Sequence, residues 1–558
     1  MPIPHGSTAK SAGRRTTSWV LGVTLAGLAL RIVSIDTRGL WLDESLTVKQ
    51  ASQSLAGVVQ TIAEGVHPPL FHILMHLWMT AFGQGEIAVR SFSVLVGVAA
   101  IPAAYWAGTR LYDRRTGLMA MGAVALSPYL IWYSQEARMY SMLFLAGLLS
   151  TAFLALAVRE DRAHQWWGFL LWTTVGMFTH YFFAFLLVGQ VAFYLFGVVV
   201  ADERRLAGIG LATADFRHPW RLFADVKTLG PWLACTVVTA VAVLMWLMRS
   251  VFVVSSDNAL ISSVAGSGLG YGQEGARLAL RFNDVAAVIV QMTAGFHAQG
   301  TMDVLVAMWP FTLTLIFLLL HLLEPGTRLT WLLLAAASGI VVLLLLGQWQ
   351  GQVLASRYFA AVAAPALLLA ARLVARLSRR DRLVVIVLLV AFSGAAWFDQ
   401  SYNPGNVMRY DNREAMRTIV AGWRPGDVVL CEPYYLDSLA TYYLPASLKA
   451  IGLPLHGSAT HLRNSSDEVA TDMTRIVGTS RRVWLFLSFQ DITAVRTDGD
   501  TVQRWLRHNG YAVAHDDVLN KVELLRYDGA LAGAPSAPSS IATSATGAAA
   551  PASAGATP

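Results

Sequence analysis

The chain has 558 residues, 55% hydrophobic and only 14% charged, where a soluble globular protein carries about 25% charged residues. That excludes an ordinary water-soluble enzyme. The net charge of +7 does not point to nucleic acid, because the 42 Lys and Arg fall in short clusters between apolar runs, the pattern of membrane topology determinants.

Uncharged runs at Ser91 to Thr109, Met139 to Val158, Thr228 to Met248 and Val304 to Leu323 are each 19 to 21 residues long. A bilayer core about 30 Å thick needs about 20 helical residues. Hydropathy then predicts eleven spans, at 19–35, 88–109, 117–133, 139–158, 165–181, 184–201, 230–250, 302–323, 330–347, 357–376 and 382–398. The stretch Gln165 to Ala201 has no charge over 37 residues; at about 1.5 Å per residue it is too long for one helix, so it divides at His180 and Tyr181. The first span has a basic flank (Lys10, Arg14, Arg15) like a signal peptide but no small-residue cleavage site, and reads as a retained anchor.

With the amino terminus inside, the inner connections hold 19 Lys and Arg and the outer ones eight. The positive-inside rule therefore places residues 1–18 in the cytoplasm and the C-terminal region outside. His67 to Phe82 is apolar but short, and counting it as a span would invert this charge bias. It is expected to be an interfacial helix in a long first outer connection, 36–90.

From Asp399 to Asp528 the composition becomes that of a small α/β domain. Strand-like runs are expected at 427–431, 483–487 and 522–527, and helices at 412–423, 466–476 and 501–508. Residues 529–558 are Ala, Pro, Ser, Thr and Gly with Leu531 and Ile541 and no charge, the composition of a disordered tail. Cys235 lies in an apolar run and Cys431 in the polar region, so no disulfide between them is expected.

The expected outward ends of the spans carry the candidate chemistry. Asp43 and Glu44 follow the first span; Glu64 and His67 precede a double proline; Arg90 opens the second span; Glu136 and Arg138 sit in SQEARMY; His180 and Tyr181 close the fifth span; Arg357 and Tyr358 open the tenth. Any one Arg or Tyr at a helix end is equally explained by snorkelling or the aromatic belt. His72 and His76, spaced i, i+4, lack a placed third ligand for zinc. The combination is what points to function. Cations suited to a phosphate and carboxylates able to take a proton, all at one water–lipid boundary, fit a substrate with a lipid tail and an anionic head.

Five segments in order carry a family resemblance: LWLDES at Leu40 to Ser45, VHPPLFHILMHLWMTAFG at Val66 to Gly83, EIAVRSFSVLVG at Glu86 to Gly97, RLYDRRTG at Arg110 to Gly117 and ALSPYLIWYSQEARMYS at Ala125 to Ser141. Shorter pieces follow at Thr179 to Phe183, Ser356 to Tyr358 and Arg424 to Leu430. Together they resemble the bacterial branch of glycosyltransferase family 39, akin to protein O-mannosyltransferases and lipid A aminoarabinose transferases.

The resemblance implies a GT-C fold, an all-α polytopic body with an extracytoplasmic active site, embedded in the bacterial inner membrane. It further implies a polyprenyl-phosphate sugar donor and a glycan, lipid or protein acceptor. By it Asp43 is expected to deprotonate the acceptor and Glu44 to tune Asp43. Arg90, with Arg138 and Arg357, is expected to hold the donor phosphate or sugar, and His67, Glu136, His180, Tyr181 and Tyr358 to line the donor pocket. No metal is obligatory in that chemistry. The lysine that often follows HPPLG in protein mannosyltransferases is absent, with His72 nearby, which favours a glycolipid or polysaccharide acceptor over a protein. A lipid-linked sugar flippase or an O-antigen-type ligase is the alternative, although a transporter would be expected to place polar groups near mid-bilayer.

Overall fold

The computed structural model describes residues 6–63, 67–194, 228–254, 356–404, 409–432, 436–445, 447–448, 450–453, 466–478, 480–488 and 493–529. The expected spans at 302–323 and 330–347, the basic connection at 202–227, Glu64 and the tail from residue 530 lie outside them.

Nine of the expected spans fall wholly or partly on described residues, and each is helical there: α1 (Gly6–Ile32), α5 (Glu86–Leu111), α6 (Arg114–Leu126) with α7 (Pro128–Ser134), α8 (Tyr140–Glu160), α9 (Ala163–Thr179), α10 (Phe183–Ala192), α11 (Leu229–Val254), α12 (Ala360–Arg376) and α13 (Arg379–Tyr402). Among the described residues five helices are long and apolar enough to cross a bilayer, or six if the bent pair α6–α7 is one span. The count of eleven is therefore not reached among the described residues. Helix α8 is central, with 78% of its apolar window buried, against 11% for the peripheral α13. Gly147 lets α8 approach α12 closely, since a Cβ there would stand 2.5 Å from the Ala361 carbonyl oxygen.

The span expected at 117–133 is broken. Helices α6 and α7 meet at 56° because Pro128 has no N–H to give the Val124 carbonyl. Arg31 of α1, fully buried, supplies the missing donors: Nη2 donates to Val124 O at 3.0 Å, Nη1 to Ala125 O at 3.2 Å and Nε to Ser134 Oγ at 3.1 Å. Broken backbone inside a membrane body is tolerated where the protein satisfies it in this way.

The connection after α1 contains α2 (Leu42–Ala51), α3 (Leu55–Ala63) and α4 (Leu70–Phe82). At 13 residues, about 20 Å long, α4 is too short to cross a bilayer. It buries Phe71, His72, Met75 and Met79 and packs on α2, α3, α5 and α9.

The C-terminal region is an α/β unit: α14 (Asn412–Gly422), β1 (Val428–Glu432), α15 (Asp437–Tyr443), β2 (Ala450–Gly452), α16 (Ser466–Val477), β3 (Arg482–Ser488), α17 (Thr493–His508), β4 (Tyr511–Leu519) and β5 (Val522–Gly529). The sheet order is β2-β1-β3-β5-β4, with β2, β1 and β3 parallel and β5 and β4 antiparallel. Val483, Leu485 and Leu487 pack with Met473, Val502 and Leu506 on one face. Trp484 and Phe486 join Ile419 and Leu439 on the other. Burial on both faces explains why β1 and β3 read as unbroken apolar runs.

Strands β2 and β4, helix α15 and the first two turns of α17 were not anticipated. β4 is an exposed edge with a bulge between Val513 and His515, so it has little hydrophobic signal. Gly499 between Asp498 and Asp500 masks the continuity of α17, because such residues favour turns. Cys235 and Cys431 are both free and buried.

Candidate active site

Trp41 precedes the first turn of α2, which carries Asp43 and Glu44, where negative charge is favoured by the helix dipole. The two neighbours have opposite environments. The Glu44 side chain is fully buried and that of Asp43 is 23% exposed.

Glu44 is completely engaged. Its Oε1 accepts from Arg90 Nε and from the Ala137 amide, both at 2.8 Å; its Oε2 accepts from Arg90 Nη2 at 2.7 Å and the Trp41 amide at 3.2 Å. Burial by itself raises a carboxyl pKa, but the charge and hydrogen bonds of Arg90 outweigh it and hold Glu44 below its ordinary value. Glu44 thus ties the start of α2 to the loop 135–139.

Arg90 was expected at the donor phosphate. In the structure its remaining donors reach Ile35 O and Arg38 O, each at 2.8 Å, and Gly39 O at 3.0 Å. With the pair to Glu44, all five guanidinium N–H groups have protein acceptors. None remains for a phosphate, and Arg90 fastens the 35–39 loop instead.

Arg138 and Arg357 differ. Arg138 is buried, donates Nη1 to Thr47 Oγ1 at 2.9 Å and to Asp43 O at 3.3 Å, and holds Nη2 3.8 Å from Asp43 Oδ2. Arg357, in a 3-10 turn at Ser356–Phe359, lies 5.2 Å from the ring centroids of both Trp41 and Tyr358, in range for cation–π attraction. The Nε of each is buried without a hydrogen-bond partner among the described residues. Buried orphan donors are rare, and two on neighbouring cations form an anion-seeking arrangement.

Around them His180 lies 5.7 Å from His67 and 6.0 Å from Tyr358, ring to ring, and His67 lies 6.1 Å from His72. Burial first, then the charge of Arg138, pushes His72 and His180 down to about 3, so these rings are neutral at ordinary pH. Glu136 Oε1 accepts from Trp132 Nε1 at 2.7 Å while Oε2 has no partner among the described residues. Burial, then the charge of Glu44, raises Glu136 to about 7. Tyr181 occupies the same turn as His180, half-buried, and joins none of the cluster's ring contacts among the described residues. His76 faces away, with Nδ1 2.9 Å from Ala51 O.

The structure therefore gathers Asp43, Glu44, Arg90, Glu136, Arg138, His67, His180, Arg357 and Tyr358 at one end of the helical body. At the other end Arg110 pairs with Glu160 at 3.0 Å and Arg372 with Asp113. Sequence reasoning missed Thr47, although it lies one helical turn from Asp43 on the same face. It also missed the part played by Trp41 under Arg357, which had no local signal.

The model of the dolichyl-phosphate-mannose-protein mannosyltransferase family matches residues 66–211. No curated protein sequence matches the chain. Among solved structures, ArnT from Cupriavidus metallidurans bound to undecaprenyl phosphate aligns with TM-score 0.57 and 14% identity over 91% of this chain and 98% of that one. Its apo form aligns with 0.59 and 13% over 92% and 98%. The archaeal oligosaccharyltransferase AglB from Archaeoglobus fulgidus, in complex with an inhibitory peptide and a dolichol-phosphate, gives 0.51 and 13% over 89% and 72%. Residues 66–211 thus match the mannosyltransferase family model, and the chain shares the fold of these polytopic GT-C structures over most of its length.

Proposed function

We propose that the protein transfers a sugar from a polyprenyl-phosphate donor to a hydroxyl of an extracytoplasmic acceptor, with Asp43 as the base. The observation that carries this reading is the contrast at the start of α2. Glu44 is sealed into an ion pair, while Asp43 is partly exposed beside Arg138, and both Arg138 and Arg357 have a buried Nε–H with no hydrogen-bond partner among the described residues.

In the step, the acceptor oxygen attacks the anomeric carbon, its proton passes to Asp43, and the bond from that carbon to the phosphate oxygen breaks, releasing polyprenyl phosphate. Negative charge grows on the departing phosphate. Arg138 and Arg357, held in place before reaction, stabilise that charge more than the ground state. His67, His180 and Tyr358 wall the donor site, and Arg90 acts through Glu44. The ArnT structure is bound to undecaprenyl phosphate and the AglB structure is in complex with a dolichol-phosphate, which supports this donor class. A mannose-like sugar, a glycolipid or polysaccharide acceptor, an inner-membrane location and an external C-terminal unit complete the proposal.

The test is mass analysis of surface glycans and polyprenyl-phosphate sugars in cells lacking the protein and complemented with wild type or Asp43→Asn. Wild type should restore one glycan species and draw down its lipid-linked sugar, and Asp43→Asn at equal membrane abundance should do neither. Full restoration by Asp43→Asn removes Asp43 as the base.

A further inference from the structure

The backbone segment that delivers Asp43 is held from two sides. From the helical body, Arg90 binds the carbonyls of Ile35, Arg38 and Gly39. From the C-terminal unit, the Tyr443 hydroxyl accepts the Leu40 N–H at 2.6 Å and Asn412 Nδ2 donates to the Leu40 carbonyl at 3.0 Å. Both polar groups of one peptide residue, three before Asp43, are thus satisfied by side chains some 370 and 400 positions away in sequence.

The contact is specific. Tyr443 donates onward to Glu86 Oε1, and Arg413 bridges Glu86 at 3.2 Å and Asp36 at 3.1 Å. Ser45 and Ser438 share a hydrogen bond at 2.9 Å. Gly39 is required by the closeness of the two parts: a Cβ there would stand 2.8 Å from Arg413 Cβ and 3.2 Å from the Tyr443 hydroxyl.

We infer that the α14–α15 face of the C-terminal unit is a positioning element for the catalytic loop, with Tyr443 and Asn412 as its positioning residues. The word catalytic rests on the proposed function; the geometric part does not. A residue without regular structure just before a helix has no ladder to fix it, so these side-chain bonds set the direction in which α2 starts. A displacement of Asp43 by 1 Å would cost about 100-fold in rate. The unit is therefore part of the catalytic apparatus, not a passive cover.

The experiment compares the full-length wild type with Tyr443→Phe and Asn412→Ala in lipid nanodiscs. Tyr511→Phe is the control, because its hydroxyl also bonds a backbone group, donating to the Ser480 carbonyl at 2.6 Å, but far from the loop. Amide exchange is read on peptides covering 36–49, α8 and β3, donor-site affinity is read with undecaprenyl phosphate, and glycan product is read per unit of folded protein in cells. Tyr443→Phe removes the bonds to the Leu40 N–H and to Glu86 and should speed exchange in 36–49 by about tenfold, as expected for loss of one bond that holds this segment's backbone. It should leave α8, β3 and undecaprenyl phosphate affinity unchanged and lower product by about tenfold or more. Tyr511→Phe should leave 36–49 exchange and product unchanged.

Unchanged exchange at 36–49 in Tyr443→Phe and Asn412→Ala, or faster exchange spread equally over β3, overturns the inference. Faster local exchange with normal product also overturns it. If wild type itself yields no glycan, the proposed function fails, and the exchange data still decide whether the clamp exists.

Discussion

Glu44 and Arg90 form a closed unit: two hydrogen bonds at 2.8 and 2.7 Å join the carboxylate to the guanidinium, and every remaining donor and acceptor of the pair is taken up by backbone of the 35–41 segment or by Ala137. Both side chains are almost wholly buried. Removing one partner of such a pair leaves an uncompensated buried charge. Arg90→Ala should therefore destabilise the protein by about 3–5 kcal/mol, seen as a lowered unfolding temperature in detergent. Arg90→Lys should rescue little, because a single ammonium cannot reach the acceptors of a planar fork. An Arg90→Ala protein of normal stability with lost undecaprenyl phosphate affinity would return Arg90 to the phosphate.

Arg138 and Arg357 should behave in the opposite way. Each has a buried Nε–H that is unpartnered among the described residues and available to an anion. Replacing either by Gln should weaken undecaprenyl phosphate binding by about 30-fold, corresponding to roughly 2 kcal/mol for a charged hydrogen bond, with less effect on stability than Arg90→Ala. Titration in nanodiscs at fixed salt measures this. Equal affinities in wild type and both variants would exclude these residues from the donor site.

Glu136 gives a pH signature. Its carboxyl is raised to about 7 by burial and by the charge of Glu44, so between its ordinary value near 4.5 and 7 the folded protein binds the extra proton. Stability contributed by this group is full below pH 4.5, falls as pH rises through that window and is level above it. Glu136→Gln should remove this slope and keep the bond from Trp132 Nε1, raising stability at pH 8 relative to wild type. Thermal unfolding at pH 5, 6, 7 and 8 reads it; parallel curves for the two proteins would show that Glu136 does not titrate there. His72 and His180, pushed down to about 3, should add no limb between pH 5 and 8.

Arg31 makes a structural prediction away from the site. It satisfies the Val124 and Ala125 carbonyls at the Pro128 break, so Arg31→Met should leave both orphaned at about 1–3 kcal/mol each. The expected result is reduced thermal stability. Pro128→Ala in the same background should recover part of it by giving Val124 O a helical donor. Lack of any recovery would mean that the break is held by other contacts.

Sequence alone determined what hydrophobic period and charge can encode. Apolar runs and flanking arginines marked where helices lie, the change of composition after Phe398 marked the α/β unit, and the ordered motifs from Leu40 to Ser141 carried the family resemblance. These features are local, so one-dimensional reading recovers them. What each polar residue does was decided only by tertiary structure. Asp43 and Glu44 are adjacent and chemically alike, yet one is sealed and the other open, because the amides and the guanidinium that select Glu44 come from residues up to 93 positions away. Arg90 and Arg138 looked equivalent at the same membrane face until the acceptors around each were in place. Tyr443 and Asn412 carried no local signal at all, since their partner is a backbone group at Leu40, and backbone polar groups are the same at every position of a chain.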